Sequence, residues 1–302
     1  MIPRLLDATP RQLLTMTGSA LKTSIAAAEG RTLAVEVIAS AQPPVAGITH
    51  GEIAAAFGAD LIILDQYDPL KPTVANAPAD IFDEPAPLTA CARLFGRPVG
   101  LNLIVAEEDA GAFLGGRLLS ESSLERALEQ GCRIINIYMR PQIGGTHAGM
   151  IAGLRLARRM AADEALLIGV PTFTRPAPRA PEAVRAFIAD ALMLIEAGAD
   201  GIALPLPGSK QGWTVDAAGA IVDAVRSSGA LAWLFLTGSI EGASEQTMMQ
   251  LALVAKQIGA DACRLDEAGL SGMPVPENIL AFSLALRGRA HTFRRMAVSP
   301  AR

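Results

Sequence analysis

Six polar side chains interrupt runs that are otherwise apolar. Glu36 lies inside Ala34-Val35-Glu36-Val37-Ile38, Asp65 ends Leu61-Ile62-Ile63-Leu64-Asp65, Asn102 and Asn136 sit within later runs of the same kind, and Arg264 precedes Leu265-Asp266. A charge or amide in a strand covered on both faces is costly unless it is paired or faces a ligand. For Glu36 alone a buried structural ion pair is an equal reading. For Glu36, Asp65, Asn102, Asn136 and Arg264 together a catalytic site is the better one. Glu36, Asp65 and Asp68 are hard oxygen donors suited to Mg²⁺, which would let a site poor in histidine stabilise an enolate. No organic cofactor is indicated, and no His/Cys spacing suits zinc.

Two glycine-rich stretches add a second chemistry. Gly238, Ser239 and Gly242 follow one apolar run, and Gly269 and Gly272 follow the next. Small residues there would bring backbone N–H groups close to a phosphate; the plain alternative is two ordinary turns. Arg140-Pro141-Gln142-Ile143-Gly144-Gly145-Thr146-His147 offers Arg140 to an anion and His147 as an acid or base, or else carries an ordinary loop histidine. His50 reads as a helix cap. Lys210 in Pro207-Gly208-Ser209-Lys210 would touch phosphate as a point charge. No lysine lies inside an apolar run, which disfavours Schiff-base chemistry.

The elements that must position these groups are marked by glycine. Gly30, Gly58, Gly96, Gly131, Gly198, Gly229 and Gly259 each end a helical pattern just before an apolar run, with near copies at Gly58-Ala59-Asp60, Gly198-Ala199-Asp200 and Gly259-Ala260-Asp261. Glycine at such a stop takes the left-handed conformation without penalty. The spacing is that of one strand and one crossover helix, except for a double gap between 131 and 198 whose missing junction falls at Ala162-Asp163-Glu164. Eight strands follow: Thr32–Ser40, Asp60–Asp65, Pro98–Val105, Arg133–Arg140, Ala165–Thr172, Gly201–Leu206, Leu231–Thr237 and Ala262–Asp266. Repeated βα units of this length predict an α/β fold, a single (β/α)₈ TIM barrel, whose long loops at strand C-termini carry function. An open doubly wound sheet is the alternative, but its GxGxxG or P-loop is absent. One domain spans 1–302: a helical cap over 1–30 with a helix near Pro10–Ala28, eight units over 31–288, and a short basic tail over 289–302.

Composition limits the partners. A net charge of −4 with no basic face excludes nucleic acid as the expected ligand, and no apolar run is long enough for a membrane span. Arg287, Arg289, Arg294 and Arg295 form the one basic cluster, expected as a solvated or subunit-contact tail of a homo-oligomer. Three scattered cysteines and no signal peptide point to reduced thiols in the cytoplasm.

The chain resembles a family of bacterial proteins of similar length predicted to be TIM barrels, on Phe57-Gly58-Ala59-Asp60-Leu61, Gly96-Arg97-Pro98-Val99-Gly100-Leu101-Asn102-Leu103, Asp266-Glu267-Ala268-Gly269 and Arg287-Gly288-Arg289-Ala290-His291-Thr292-Phe293. It is also distantly similar to phosphoenolpyruvate-mutase-like and phosphate-binding barrels. Members are often labelled haloacid-dehalogenase-like hydrolases, yet Asp65-Gln66-Tyr67-Asp68-Pro69 fails the DxDx[TV] pattern that label requires. The resemblance implies the fold and carries over no catalytic residue. The expected function is a lyase or isomerase acting on a small phosphorylated metabolite. A hydrolase and a non-catalytic metabolite-binding barrel are the rivals.

Overall fold

The computed structural model describes residues 2–171, 177–299 and 301–302. Eight parallel strands close into one barrel in chain order: β1 (Thr32–Ile38), β2 (Leu61–Asp65), β3 (Val99–Val105), β4 (Ile134–Met139), β5 (Leu166–Val170), β6 (Gly201–Pro205), β7 (Leu231–Leu236) and β8 (Ala262–Leu265). The expected strands are all present, trimmed by one or two residues at their ends; Thr172, expected to end the fifth, lies outside the described residues. The helices are α1 (Pro10–Leu14), α2 (Gly18–Ala26), α3 (His50–Ala56), α4 (Pro87–Phe95), α5 (Gly111–Leu114), α6 (Glu121–Glu129), α7 (His147–Ala161), α8 (Pro181–Glu196), α9 (Val215–Ser227), α10 (Glu245–Ile258) and α11 (Pro276–Ala297).

Helix stops work as the glycine spacing predicts. All seven junction glycines take positive φ, from 64° at Gly96 to 118° at Gly198. At the missing junction Ala162 takes that place with φ 43°, a conformation in which its Cβ is a penalty. The Gly-Ala-Asp copies have a further use. The carboxylates of Asp60, Asp200 and Asp261 accept the backbone N–H groups of Leu33, Leu167 and Ala232, at 2.9, 3.0 and 2.9 Å, on the preceding strand. Each aspartate thus fixes where one strand starts relative to its neighbour.

Side-chain alternation sorts the apolar residues into two cores. Leu33, Val35 and Val37 of β1, like Leu234 and Leu236 of β7, face the surrounding helices. Ala34, Ile63, Ile134, Ile168, Trp233 and Ala262 face inward and pack with Leu13, Leu21 and Ile25 of α1 and α2, which plug the barrel floor. The expected N-terminal helix is therefore two helices, parted at Thr15–Thr17, with Thr17 capping the second. Gly18 donates its N–H to Glu164 O at 2.9 Å, and a Cβ there would stand 2.1 Å from the carbonyl carbon of Ala165. Only glycine lets α2 seat so closely.

The C-terminal residues differ from the expected tail. Residues 289–297 continue α11 beyond a break at Gly288, and the Thr292 hydroxyl lies 2.9 Å from that of Ser283, nine positions earlier. That contact folds the second half of α11 back on the first. Arg287 and Arg295 are buried on Asp60, so these two of the four arginines are not solvated; Arg289 and Arg294 are exposed. Burial keeps Arg287 and Arg295 in a network that includes the carbonyls of Gly58, Leu5 and Ala8. No helix among the described residues is long and apolar enough to cross a membrane.

Candidate active site

The inward phase of the strands decides which polar groups meet. On β1 it is Ala34 and Glu36, on β4 Ile134, Asn136 and Tyr138, on β8 Ala262 and Arg264, followed by Asp266. Pairing puts Ala34 opposite Arg264 and Asn102 opposite Asn136. Around the C-terminal mouth Glu36, Asp65, Asn102, Tyr138, Asp266 and Glu267 line a cavity of about 40 Å³, with Arg140 and Thr237 at its rim.

Arg264 is the buried hub. Its Nε donates to Asp266 Oδ1 at 2.7 Å, and its Nη1 lies 3.3 Å from Glu36 Oε2 as an ion pair outside hydrogen-bond geometry. The guanidinium carbon stands 5.1 Å from the Phe235 ring centre and 5.6 Å from that of Tyr138, so two aromatic faces also hold it. The Tyr138 hydroxyl donates to Glu36 Oε2 at 3.4 Å. A second chain of bonds crosses the other side. Asn136 Nδ2 donates to Asn102 Oδ1 at 2.9 Å, and Asn102 Nδ2 to Asp65 Oδ1 at 2.8 Å, which sets both amide orientations.

These environments shift the acids upward. Burial pushes the Glu36 carboxyl well above the usual carboxylate range, and Arg264 offsets only part of that. Burial likewise pushes Asp266 up to about 7 against the pull of Arg264, and the Tyr138 hydroxyl well above its ordinary value. Arg264 is itself held above its usual value: burial opposes its charge, but Asp266 and Glu36 more than compensate. One guanidinium therefore serves two buried carboxyls and cannot neutralise both.

Three carboxylates of the site form a set that could hold a divalent cation. One oxygen each from Glu36, Asp65 and Glu267 lies within 4.8 Å of the others, a set of hard donors fit for Mg²⁺ or Mn²⁺. Asp68, proposed as a ligand from sequence, turns away: its Oδ1 accepts the N–H groups of Leu70 and Lys71 at 2.8 and 3.2 Å, and Glu267 stands in the acidic set instead.

The other sequence candidates are placed elsewhere. His147 opens α7 and faces Asp190 of α8, with Nε2 3.9 Å from its Oδ1, outside the cavity lining. Lys210 is half-buried on the connection after β6, where burial lowers its pKa, and also lies outside the lining. The glycine stretches pack against one another: a Cβ on Gly242 would stand 3.1 Å from Gly269 O, and Gly272 O accepts the Ile38 N–H at 2.8 Å. Gly238 and Ser239, both at positive φ, form the turn that enters this contact. Between the two loops Glu241 is buried with neither carboxylate oxygen hydrogen-bonded among the described residues, and burial pushes it up to about 8.

Tyr138, Asp266, Glu267 and Glu241 were not among the sequence candidates for catalysis. The first two follow Asn136 and Arg264 by two positions, so the strand period would have found them once the inward phase was known.

A family model described as "Domain of unknown function (DUF7916)" matches residues 6–302. No curated protein matches the sequence. Among solved structures, the carboxyl transferase domain of Rhizobium etli pyruvate carboxylase with pyruvate and biocytin superposes with a TM-score of 0.58 at 14% identity over 97% of this chain and 49% of that one. The chain thus spans about half the length of that structure. A 2,3-dimethylmalate lyase, described as a PEP mutase/isocitrate lyase superfamily member, gives 0.54 at 15% identity over 85% and 83% of the two chains. At these identities the likeness establishes the barrel fold. The haloacid-dehalogenase label attached to similar sequences finds no support in either comparison.

Proposed function

Because the chain belongs to the DUF7916 family, described only as a domain of unknown function, we propose an activity from the site itself: a lyase or isomerase, assisted by a divalent cation, acting beside a carbonyl or carboxylate of a small anionic substrate. The observation that carries this reading is the convergence of Glu36, Asp65 and Glu267 oxygens within 4.8 Å above a buried arginine. Both superposed structures, a carboxyl transferase domain with pyruvate and a 2,3-dimethylmalate lyase, are in keeping with such chemistry.

Glu36, Asp65 and Glu267 would hold the ion, which when bound supplies positive charge to an oxygen of the substrate. Asn102, itself braced by Asn136, keeps Asp65 oriented. Asp266 moves the proton. With an acidity near neutrality it can both take and return one, and Arg264 fixes its carboxylate toward the cavity. Arg140 at the rim takes the anionic end, a phosphate or a carboxylate. We assign that role to Arg140 rather than to Gly238–Gly242 and Gly269–Gly272, because the latter bury Glu241 and would set an anion beside a carboxyl.

The test is proton exchange in D₂O. Small 2-oxo acids and phosphorylated C3 acids are incubated with protein and Mg²⁺, and loss of the C–H signal beside the carbonyl is followed by NMR. Metal-dependent exchange that Asp266→Asn abolishes while Mn²⁺ still binds is the expected result. Release of inorganic phosphate without exchange would instead identify a hydrolase.

A further inference from the structure

An apolar groove of about 650 Å³ lies just outside the barrel mouth, walled by Val45, Ile48, Ile53, Phe57, Leu270 and Val275. Its size is that of a small-molecule site. Val45, Ile48 and Leu270 are 47%, 39% and 54% exposed, although large apolar side chains of this chain are mostly buried. Three exposed apolar groups on one wall need a reason.

The groove and the acidic cavity are lined by different residues, but one connection serves both. The connection after β1, which starts at Ala39, supplies Val45 and Ile48 to the groove alone; the connection after β8 carries Glu267 and Ala268 into the cavity and Leu270, two residues on, into the groove. Two residues span at most about 7 Å. Ile38 N–H to Gly272 O, at 2.8 Å, ties the two connections together, so cavity and groove keep a fixed relation.

We infer that this groove is the subsite for an apolar tail of the substrate, so that the ligand class is an amphiphile: a compact anionic reacting head with an aliphatic or aromatic extension. This rests on the assignment of the reacting head to Glu36, Asp65 and Glu267. A cavity of about 40 Å³ holds about three water-sized groups and offers little contact area. Binding energy for catalysis must come from a remote part of the ligand. The groove supplies that area, and its polarity sets the direction. Glu52 and Glu277 on its border repel an anionic head, while Arg140 at the cavity rim attracts one. The Glu52 carboxylate is already engaged, accepting the N–H and hydroxyl of Thr49.

The experiment compares pyruvate, 2-oxohexanoate and 2-oxodecanoate by calorimetry in the presence of Mn²⁺, with Mn²⁺ occupancy read separately by electron paramagnetic resonance. Affinity should rise about fourfold per added methylene while the tail enters the groove, with a heat capacity of binding that grows more negative. Ile48→Asp and Leu270→Asp should each flatten the series, and because both side chains are exposed the fold is kept, as thermal melting will verify. Bound Mn²⁺ with equal affinity for all three acids overturns the tail subsite and leaves the proposed activity standing. A gradient untouched by both substitutions overturns it too, as does a concentration-dependent dimer that Leu270→Asp dissolves, which would give the groove to a second copy. If 1-decanol binds in the groove but Mn²⁺ occupies no site, the proposed activity falls and the head assignment with it.

Discussion

Glu36 and Arg264 stand at opposite ends of the chain, on β1 and β8, yet ring closure sets Arg264 Nη1 3.3 Å from Glu36 Oε2 in a space closed to solvent. The guanidinium is the only cation buried with Glu36 and Asp266 among the described residues, and it already spends its Nε on Asp266. Arg264→Met keeps the volume and removes the charge. Two buried carboxyls would lose their partner, a change of the kind that costs about 3–5 kcal/mol. Urea unfolding at pH 7 should show that loss, and it should shrink at pH 5, where the carboxyls can protonate. A loss below about 1 kcal/mol would mean that the two acids become neutral at pH 7 once the charge of Arg264 is removed, since that charge is what favours their ionised form.

The pH dependence follows from the raised acids. Burial sets Asp266 at about 7 and Glu241 at about 8, whereas in an unfolded chain both titrate near 4. Between those limits the folded protein holds protons that the unfolded chain has released, so stability from these groups is full in acid and is lost as pH rises through 7 to 8. His50, whose pKa is lowered by burial, works in the opposite sense. The clean readout is therefore a difference: the melting temperature of Asp266→Asn minus wild type should climb from pH 5 to pH 8, and likewise for Glu241→Gln. A difference that stays flat over that range would sink the assignment.

The barrel was legible because its punctuation is local. Glycine at a helix stop and aspartate at a strand start act within a few residues, and Gly58-Ala59-Asp60 shows both. Even the absent glycine at Ala162 left its trace as a doubled spacing. The site was only half legible, because a strand read alone does not say which face points inward, and a slip of one residue exchanges the two. Glu36, Asp65, Asn102 and Arg264 were found by their cost in an apolar run. Tyr138 escaped as an unremarkable aromatic, and Glu267 lies past the strand, where polarity carries no cost. Arg287 and Arg295 of α11 were misread for another reason: their partner Asp60 lies more than 200 positions away, and charges clustered at a terminus look solvated.

Ion binding separates Glu267 from Asp68. Glu267 belongs to the acidic set with Glu36 and Asp65, whereas Asp68 holds the turn at Leu70 and Lys71. Saturating Mn²⁺ should raise the melting temperature of the wild type, by the linkage that gives about 2.7 kcal/mol at a hundredfold excess over Kd. Glu267→Gln should remove most of that rise. Asp68→Asn should lower the melting point of the protein but leave the Mn²⁺ increment in place. Equal increments in wild type and Glu267→Gln would exclude the three-carboxylate site.

Asp60 tests the opposite end of the barrel. Its Oδ1 accepts Arg295 Nε at 2.7 Å, its Oδ2 accepts the Leu33 N–H at 2.9 Å, and Arg287 pairs with it from α11. Arg97, buried beside them, is pushed down to about 9 by burial, with the positive charge of Arg295 adding to the effect. One carboxylate thus answers a cluster of buried guanidiniums whose other donors go to carbonyls of Leu5, Ala8 and Ala59. Asp60→Asn keeps the shape and one acceptor while deleting the charge, and should cost about 3–5 kcal/mol. Asp200→Asn, at a partly exposed copy of the same motif with Arg158 and Lys22 nearby, should cost no more than about 1 kcal/mol. Because this clasp sits just before β2, at the N-terminal end of the barrel, and shares no residue with the acidic set, Mn²⁺ binding at low temperature should survive Asp60→Asn. Comparable losses from the two aspartates in urea unfolding would show that strand registration, which both share, outweighs the buried charge.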